Sequence, residues 1–288
     1  MDKIKIGFID WFIDEFHASY YVPWFREMPE FADFEIHCAW EHHPNPSGRD
    51  LKTWCRELNV PAAASLQEVL DTCDVFLVLA PKNPEVHEEL VAPVLATGKP
   101  VYLDKPFAST AAAARRIFEM ADRSGSPLWS ASALRFSDEI IKAKAETFGG
   151  GPVEFASVMG GGSSLEEYLI HLVEMLVVLQ GADASRVMYC GKGKNDVLLL
   201  DYPDRRRGVI TMLPSLGYVM LARDGEKVLF NGKADGRIFL NLLREILAFY
   251  KTGTSPVPRE ETIAIAGIVE KMVAAARTPE RWIDLQSL

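Results

Sequence analysis

Three polar residues of one predicted helix, over about 165–179, could carry proton chemistry: Glu167, His171 and Glu174. They stand at i, i+4 and i+7, so they share one face of a helix that is otherwise apolar nearly all round. A carboxylate beside an imidazole can orient the ring and tune its pKa toward neutrality, which suits general acid–base catalysis. From the periodicity alone, a solvated helix face is the more common explanation of such a stripe.

A lysine is the second candidate, in the segment Val101-Tyr-Leu-Asp104-Lys105-Pro106. This segment places the Lys105 amine at the carboxyl end of a predicted strand, where open α/β sheets hold their ligands. A lysine before a proline can also be an ordinary loop residue, so Lys105 decides little in isolation.

Other residues with metal-binding or nucleophilic side chains give weaker signals. His42 and His43 lie in a Pro- and Asn-rich loop, and their spacing from Cys38 matches no metal-ligand signature, so no metal is predicted. His87 opens a predicted helix near the ligand edge of the sheet. The four cysteines are scattered without a Cys-x-x-Cys pair, as expected of reduced cysteines in a cytoplasmic protein.

The first half of the chain alternates strands and helices. Strands are predicted at Ile4 to Ile9, Phe34 to Trp40, Cys73 to Ala80, Val101 to Leu103 and Leu128 to Leu134. Helices are predicted near 16–28, 50–58, 86–96 and 109–123, with a further short helix that begins at Ser65. This order predicts a Rossmann-like, doubly wound parallel sheet in an N-terminal domain, residues 1–128.

The second half changes character, which predicts an α+β domain over residues 129–288. A strand at Val153 to Met159 and the long helix at 165–179 come first, and short strands with turn signals then recur between Val187 and Phe230. We expect these to form a meander in a mostly antiparallel open sheet, closed by helices near 237–251 and 259–276. The run Arg205-Arg206-Arg207 is expected to decorate an exposed hairpin turn.

Composition bounds the function. The 288 residues carry a net charge of −9, which argues against nucleic acid or an anionic membrane as the main partner. No apolar run reaches the eighteen or so residues that span a bilayer. An acidic cytoplasmic enzyme acting on a small molecule fits these features best.

Together, these segments resemble the glucose-fructose oxidoreductase / inositol dehydrogenase (Gfo/Idh/MocA) family. The resemblance is strongest over Asp74 to Arg135, where Asp104-Lys105-Pro106 is similar to the family's Glu-Lys-Pro motif. A second similarity lies in Leu165 to Gly181, which resembles the family's Asp-x-Gly-x-His-x-x-Asp helix. The resemblance implies that Lys105 holds a substrate hydroxyl, that His171 is the general acid/base and that Glu167 stands at the family's aspartate.

The amino terminus departs from the family pattern. A Rossmann site uses Gly-x-Gly-x-x-Gly between the first strand and helix, whereas this chain has Asp10-Trp-Phe12-Ile-Asp14-Glu15. Phe12 would occupy phosphate space, and the carboxylates put negative charge where a helix N-terminus welcomes an anion. Glu41 could still accept ribose hydroxyls or be a surface residue. The residues predicted to face an NAD or NADP cofactor are Asp10, Phe12, Glu41, Pro81, His87, Asp104 and Pro106.

Two functions follow as hypotheses. One is an NAD(P)-dependent oxidoreductase that moves a hydride between the nicotinamide and a sugar, polyol or cyclitol hydroxyl. The other is a family relative without dinucleotide redox chemistry that binds a sugar-like ligand or acts in regulation. The resemblance also implies a homodimer or higher homo-oligomer, assembled through the sheet of the second domain.

Overall fold

A computed structural model of the chain describes residues 2–191 and 194–285. The chain divides into two compact units. The first comprises Met1–Ala108, Ala113–Ser130 and Arg244–Pro258, and the second comprises Ser109–Ala112, Ala131–Leu243 and Arg259–Leu288. The helix segment 244–258 therefore clusters with the first unit although it follows most of the second unit in sequence.

The first unit is built on a five-stranded parallel sheet with the order β2-β1-β3-β4-β5. This is the predicted doubly wound sheet. The strands are β1 (Ile4–Asp10), β2 (Phe34–Glu41), β3 (Val75–Val78), β4 (Val101–Leu103) and β5 (Leu128–Trp129). The helices are α1 (Phe16–Glu27), α2 (Leu51–Leu58), α3 (Leu66–Thr72), α4 (His87–Leu95) and α5 (Ala111–Ser124).

The carboxyl ends of β1, β3 and β4 meet at one edge because parallel neighbours in register end together. Val78 pairs with Ile9 on one side and with Leu103 on the other. All four residues of β3 are buried, which agrees with the continuous apolar run expected of a central parallel strand. Asp10 at the end of β1, Ala80 shortly after β3 and Asp104 directly after β4 therefore lie next to one another.

β5 is shorter than the predicted strand Leu128 to Leu134. It ends at Trp129, and residues Ala133–Phe136 form a 3₁₀ turn instead. The Ser132 side chain accepts a hydrogen bond from Leu134 N–H and so caps this turn, which competes with extension of the strand.

The second unit is built on a seven-stranded sheet with the order β11-β10-β6-β9-β8-β7-β12. The strands are β6 (Phe155–Gly160), β7 (Arg186–Tyr189), β8 (Asp196–Asp201), β9 (Arg207–Met212), β10 (Val219–Asp224), β11 (Lys227–Asn231) and β12 (Trp282–Asp284). The helices of the second half are α6 (Asp138–Lys142), followed by one π-helical segment at Ala143–Thr147, α7 (Leu165–Gln180), α8 (Ile238–Thr252) and α9 (Arg259–Ala275).

The predicted meander is correct for β7, β8 and β9 and wrong for the next step. β6 lies between β9 and β10, and it pairs with β9 in parallel and with β10 in antiparallel fashion. The sheet is therefore mixed, although its other pairs are antiparallel. The prediction that Arg206 decorates an exposed turn is also wrong, since its guanidinium is buried against the Gln180 carbonyl and Asp183.

Helix α7 is positioned by its ends and by one close approach. Ser164 accepts a hydrogen bond from Glu167 N–H at 3.3 Å, which caps the first turn, and Gly181 ends the helix with a φ of 87°. Gly208 on β9 lets the helix lie close to the sheet, because a Cβ at that position would meet Leu176 Cδ2 at 2.5 Å. The register of α7 over the sheet, and with it the direction of His171, is thus tightly constrained.

Candidate active site

The predicted lysine lies in a buried, charged segment. Asp104 and Lys105 directly follow β4, with 0% and 9% of their surfaces exposed, and the Lys105–Pro106 peptide bond is cis. The backbone N–H of Asp104 donates to the Val78 carbonyl at 2.8 Å, so the β3–β4 ladder continues into the motif. The sheet edge therefore fixes the backbone that carries the Lys105 amine.

An imidazole contacts the acidic residue of this motif. His17 Nδ1, in the first turn of α1, lies 2.5 Å from Asp104 Oδ2, and Tyr102 Oη donates to Asp104 Oδ1 at 3.3 Å. Burial by itself raises the pKa of Asp104, but the His17 ring and the Lys105 charge outweigh it and lower the pKa to about 2. Asp104 is thus a buried carboxylate held ionised beside the lysine.

Asp10, at the end of β1, is a second buried carboxyl group at the same edge. Its Oδ1 accepts the Ala80 N–H at 3.0 Å and the Phe12 N–H at 3.3 Å. Among the described residues, its Oδ2 has no hydrogen-bond partner. Burial raises the pKa of Asp10 well above its ordinary value, which favours the neutral acid.

His87 holds the loop after β3. Its ring nitrogens lie 3.0 Å from the Ala80 carbonyl oxygen and 3.2 Å from the Phe107 carbonyl oxygen. Burial lowers the pKa of His87, so the ring is held neutral. Pro81 and Pro106 are buried beside these contacts. His87 therefore contacts the backbone of the loops that follow β3 and β4 and helps to hold these two loops in position.

The loop that replaces the glycine-rich turn is held by side chains. Glu41 Oε2 accepts the Ile13 N–H at 3.2 Å, and its Oε1 accepts the Leu51 N–H at 2.8 Å. Phe12, the predicted occupant of phosphate space, is partly buried, and its ring meets Trp11 edge-on at a centroid distance of 6.3 Å. The Phe12 N–H donates to Asp10, and the Ile13 N–H donates to Glu41. A glycine-rich loop would offer such backbone N–H groups to phosphate, but here both already have protein acceptors.

Two ion pairs close the loop in front of α1. Arg49 Nη2 lies 2.6 Å from Asp14 Oδ1, and Arg49 N–H donates to Asp14 Oδ2 at 2.8 Å. Lys82 Nζ lies 3.2 Å from Glu15 Oε2. The guanidinium of Arg49 lowers the pKa of Asp14, so this carboxyl is ionised at neutral pH.

These contacts test how well a dinucleotide fits the first unit. The glycine cradle is absent, and the carboxylates of Asp14 and Glu15 precede α1 at the place where a Rossmann fold binds the diphosphate. The donor set contains two cations that suit a diphosphate, Arg49 and Lys82, but each is paired with one of these carboxylates. The only groups here that suit the diphosphate of a dinucleotide are therefore the side-chain cations of Arg49 and Lys82, among the residues described around this loop.

The predicted histidine lies on α7 in the second unit. His171 is partly buried, and its Nδ1 lies 2.7 Å from Ser132 Oγ. The rings of Tyr168 and Tyr218 flank the imidazole at centroid distances of 6.0 and 6.2 Å. The two tyrosine rings and the Ser132 hydroxyl therefore restrict the orientation of the His171 ring.

The rest of the helix stripe is not a solvated face. Glu174 is 4% exposed, its Oε2 lies 2.6 Å from Arg135 Nη1, and its Oε1 accepts the Ser132 N–H at 3.0 Å. Arg135 also pairs with Glu261, and the two carboxylates together raise the pKa of the guanidinium against the effect of burial. Glu167 is partly buried and accepts a hydrogen bond from Ser163 Oγ at 3.0 Å.

Sequence reasoning missed four residues of these networks: His17, Arg49, Ser132 and Arg135. Their partners are 87, 35, 39 and 39 residues away in sequence, so no local periodicity reports them. The available signal for Arg135 was its place directly after the predicted strand Leu128 to Leu134, whereas Ser132 lay inside that predicted strand and gave no signal. Within the described residues, no group of three or more His, Cys, Asp or Glu side chains could hold a metal ion. No described helix is long and apolar enough to cross a membrane.

Comparison with known proteins gives one family. Residues 13–132 match the family model described as "Oxidoreductase family, NAD-binding Rossmann fold" under the heading GFO_IDH_MocA. An uncharacterized oxidoreductase of Schizosaccharomyces pombe is 29% identical over 125 residues, which cover 43% of this chain and 33% of the relative. The inositol 2-dehydrogenase of Paracoccus denitrificans is 31% identical over 102 residues, covering 33% of this chain and 30% of the relative. The chain thus spans about a third of the length of these curated relatives.

Solved structures resemble the chain over its full length. The crystal structure of GenD2 from gentamicin A biosynthesis, in complex with NAD, superposes with a TM-score of 0.81 and covers 99% of this chain and 97% of its own. The identity is only 15%, so this likeness concerns the fold alone. The chain therefore shares the fold of this protein in both units, including the second sheet that the family model does not reach.

Proposed function

We propose that this chain, whose residues 13–132 match the Gfo/Idh/MocA oxidoreductase family model, is an NAD(P)-dependent oxidoreductase of that family. Its substrate would be a hydroxyl, or the corresponding carbonyl, of a sugar, polyol or cyclitol. The similarity to an inositol 2-dehydrogenase over 102 residues supports this substrate class.

The observation that supports the proposal most directly is the state of Lys105. The residue is nine-tenths buried at the carboxyl end of a parallel strand, beside an ionised Asp104. Burying a cation is costly, so a lysine buried at this edge indicates a functional site, and a substrate oxygen is a suitable acceptor for its ammonium. Lys105 would hold and polarise that oxygen.

The remaining roles follow from the chemistry of the side chains. His171 would exchange a proton with the substrate oxygen, and Glu167 would support the first turn of the same helix. The nicotinamide, when bound, supplies or accepts the hydride. Asp10, Phe12, Pro81, His87, Asp104 and Pro106 would form the wall against which the cofactor lies.

The cofactor is expected to be NAD rather than NADP. The Glu41 carboxylate ends β2, where Rossmann folds place the acid that accepts the ribose 2′-hydroxyl. A 2′-phosphate would bring a second anion beside this carboxylate. Fluorescence titration of the purified protein with NADH and NADPH tests this, and we expect the tighter binding with NADH.

The same titration tests the main proposal. Binding of a reduced dinucleotide, followed by turnover when cyclitols or sugars are added with NAD, is the expected result. No detectable binding of NADH or NADPH at millimolar concentration would favour a sugar-binding or regulatory protein without redox chemistry.

We further propose that the second unit forms a homodimer through its sheet. One face of this sheet packs on α7 and α9, whereas Met188, Leu199, Val209, Leu221 and Phe230 form an apolar row on the other face. Phe230 is 61% exposed. Light scattering at micromolar concentration should report a dimer, and the double variant Leu199→Arg/Leu221→Arg should be monomeric. A monomeric parent protein would refute the assignment.

A further inference from the structure

We propose that Ser132 is a positioning residue for His171 that holds the imidazole through Nδ1 and keeps a proton on Nε2 of the neutral ring. The use of that proton rests on the proposed function. The hydrogen-bond arrangement itself does not, and it can be tested without cofactor or substrate.

Ser132 is fixed independently of the histidine. The residue is fully buried, and its backbone N–H donates to Glu174 Oε1 at 3.0 Å. Glu174 is in turn held by Arg135 at 2.6 Å, and Arg135 is held by Glu261 on α9. A network of buried and partly buried charges thus fixes the position of the hydroxyl, so its 2.7 Å contact with His171 Nδ1 can define where the ring lies.

The direction of the hydrogen bond follows from the donors and acceptors around the hydroxyl. A serine hydroxyl has one proton and two acceptor sites. Leu134 N–H already donates to Ser132 Oγ at 3.3 Å, and His171 Nδ1 is the acceptor within reach of the hydroxyl proton. A buried hydroxyl proton is costly to leave without an acceptor, so Ser132 donates to Nδ1. A neutral imidazole that accepts at Nδ1 carries its proton on Nε2.

This arrangement suits the reduction of a carbonyl. The neutral ring offers an N–H at Nε2 that can donate to a carbonyl oxygen and so bind the oxidised form of the substrate. For the transfer itself the ring first takes up a second proton from solvent, and its Nδ1–H then donates to Ser132 Oγ. The Nε2 proton can pass to the substrate oxygen as its carbon receives the hydride, and proton exchange with solvent then returns the ring to the neutral Nε2–H form that Ser132 favours. A carboxylate in place of the Ser132 hydroxyl could only accept a hydrogen bond from Nδ1 and could not donate one to it.

The chain offers a matched control. Ser137, also fully buried, caps α6 by accepting the Ile140 N–H at 3.1 Å, just as Ser132 caps the 3₁₀ turn before it. Ser132→Ala and Ser137→Ala each lose a cap of the same kind, so both variants should lose a similar amount of stability. Only Ser132→Ala loses the contact with His171, so a difference between the two variants isolates that contact.

The test is long-range proton–nitrogen NMR on full-length protein labelled with ¹⁵N-histidine, with the His171 signals assigned by their loss in His171→Gln. We expect the neutral ring of the parent protein to carry its proton on Nε2 and to accept a hydrogen bond at Nδ1. Ser132→Ala should move the Nδ1 resonance to that of a free imidazole nitrogen, whereas Ser132→Thr and Ser137→Ala should leave it in place. A proton on Nδ1 in the parent protein, or equal spectra for all variants, would overturn the proposal.

Kinetics then connect the contact to turnover once a substrate is in hand. Ser132→Ala should lower kcat for carbonyl reduction by about tenfold to a hundredfold, part of the usual contribution of acid–base catalysis, with KM nearly unchanged. Ser132→Thr should restore kcat. An inactive parent protein would count against the proposed function and leave the NMR result standing.

Discussion

The two carboxylates in front of α1 should limit how tightly this protein binds a dinucleotide. Asp14 and Glu15 directly precede the first residue of α1, where Rossmann folds place the cofactor diphosphate. We therefore expect the double variant Asp14→Asn/Glu15→Gln to bind NADH more tightly than the parent protein.

The magnitude follows from Coulomb's law. Two unit charges about 4 Å apart repel by about 1 kcal/mol in water-like surroundings, and by more where solvent is excluded. Removing two such repulsions gives about 2 kcal/mol, or a gain of about thirty-fold in affinity, since 1.4 kcal/mol is about tenfold. The substitutions also release Arg49 and Lys82 from their present partners, so both cations can bind phosphate.

The assay is a fluorescence titration with NADH at low ionic strength, repeated with ADP and adenosine. The gain should appear for NADH and ADP, which carry a diphosphate, and should be absent for adenosine. It should shrink as salt is added, because salt screens exposed charges. Glu88→Gln is a matched control, since Glu88 pairs with Arg116 at 2.7 Å on the same unit and precedes no phosphate-binding turn.

The opposite result would also be informative. If the double variant binds NADH as weakly as the parent protein or more weakly, the carboxylates do not repel the diphosphate. They would then hold the two cations in the productive position, and the electrostatic reasoning would be refuted.

Three further predictions concern buried charges. Lys105→Met should lower kcat by about a hundredfold or more, the usual range for loss of a group acting on the reacting oxygen, while a thermal melt shows a folded protein. The raised pKa of Asp10 means that the folded state binds a proton that the unfolded state releases, so stability falls as pH rises from the ordinary carboxyl pKa toward the higher folded value. Asp10→Asn should therefore melt at a higher temperature than the parent protein at pH 8, with the difference vanishing near pH 4; a difference independent of pH would refute this. Arg135→Met should lower the free energy of unfolding in urea by about 3–5 kcal/mol, because it leaves the buried Glu174 and the partly buried Glu261 without their partner, and a loss below about 1 kcal/mol would contradict the role of the network.

Local patterns predicted most of the helices and strands. The alternation of apolar strands and capped helices gave the parallel sheet of the first unit and placed Asp104 and Lys105 at its ligand edge. The i, i+4, i+7 spacing put Glu167, His171 and Glu174 on one helix face. Such features depend on residues close in sequence, and hydrophobic periodicity reports them.

Pairing between distant segments was harder to predict. β12 (Trp282–Asp284) has three residues and no period of its own, and it exists through its antiparallel pairing with β7. The insertion of β6 between β9 and β10 likewise follows no turn signal. Both are decided by which apolar faces can be buried together on α7 and α9.

The sequence by itself determined the family resemblance, the lysine at the sheet edge and the absence of a glycine-rich phosphate loop. Only the tertiary structure decided what each charged group does. It paired Asp104 with His17, Asp14 with Arg49 and Glu174 with Arg135, and it turned Ser132 toward His171. The physical reason is that a buried charge or hydroxyl needs a partner, and that partner is a matter of distance in space, which residues far apart in sequence do not reveal.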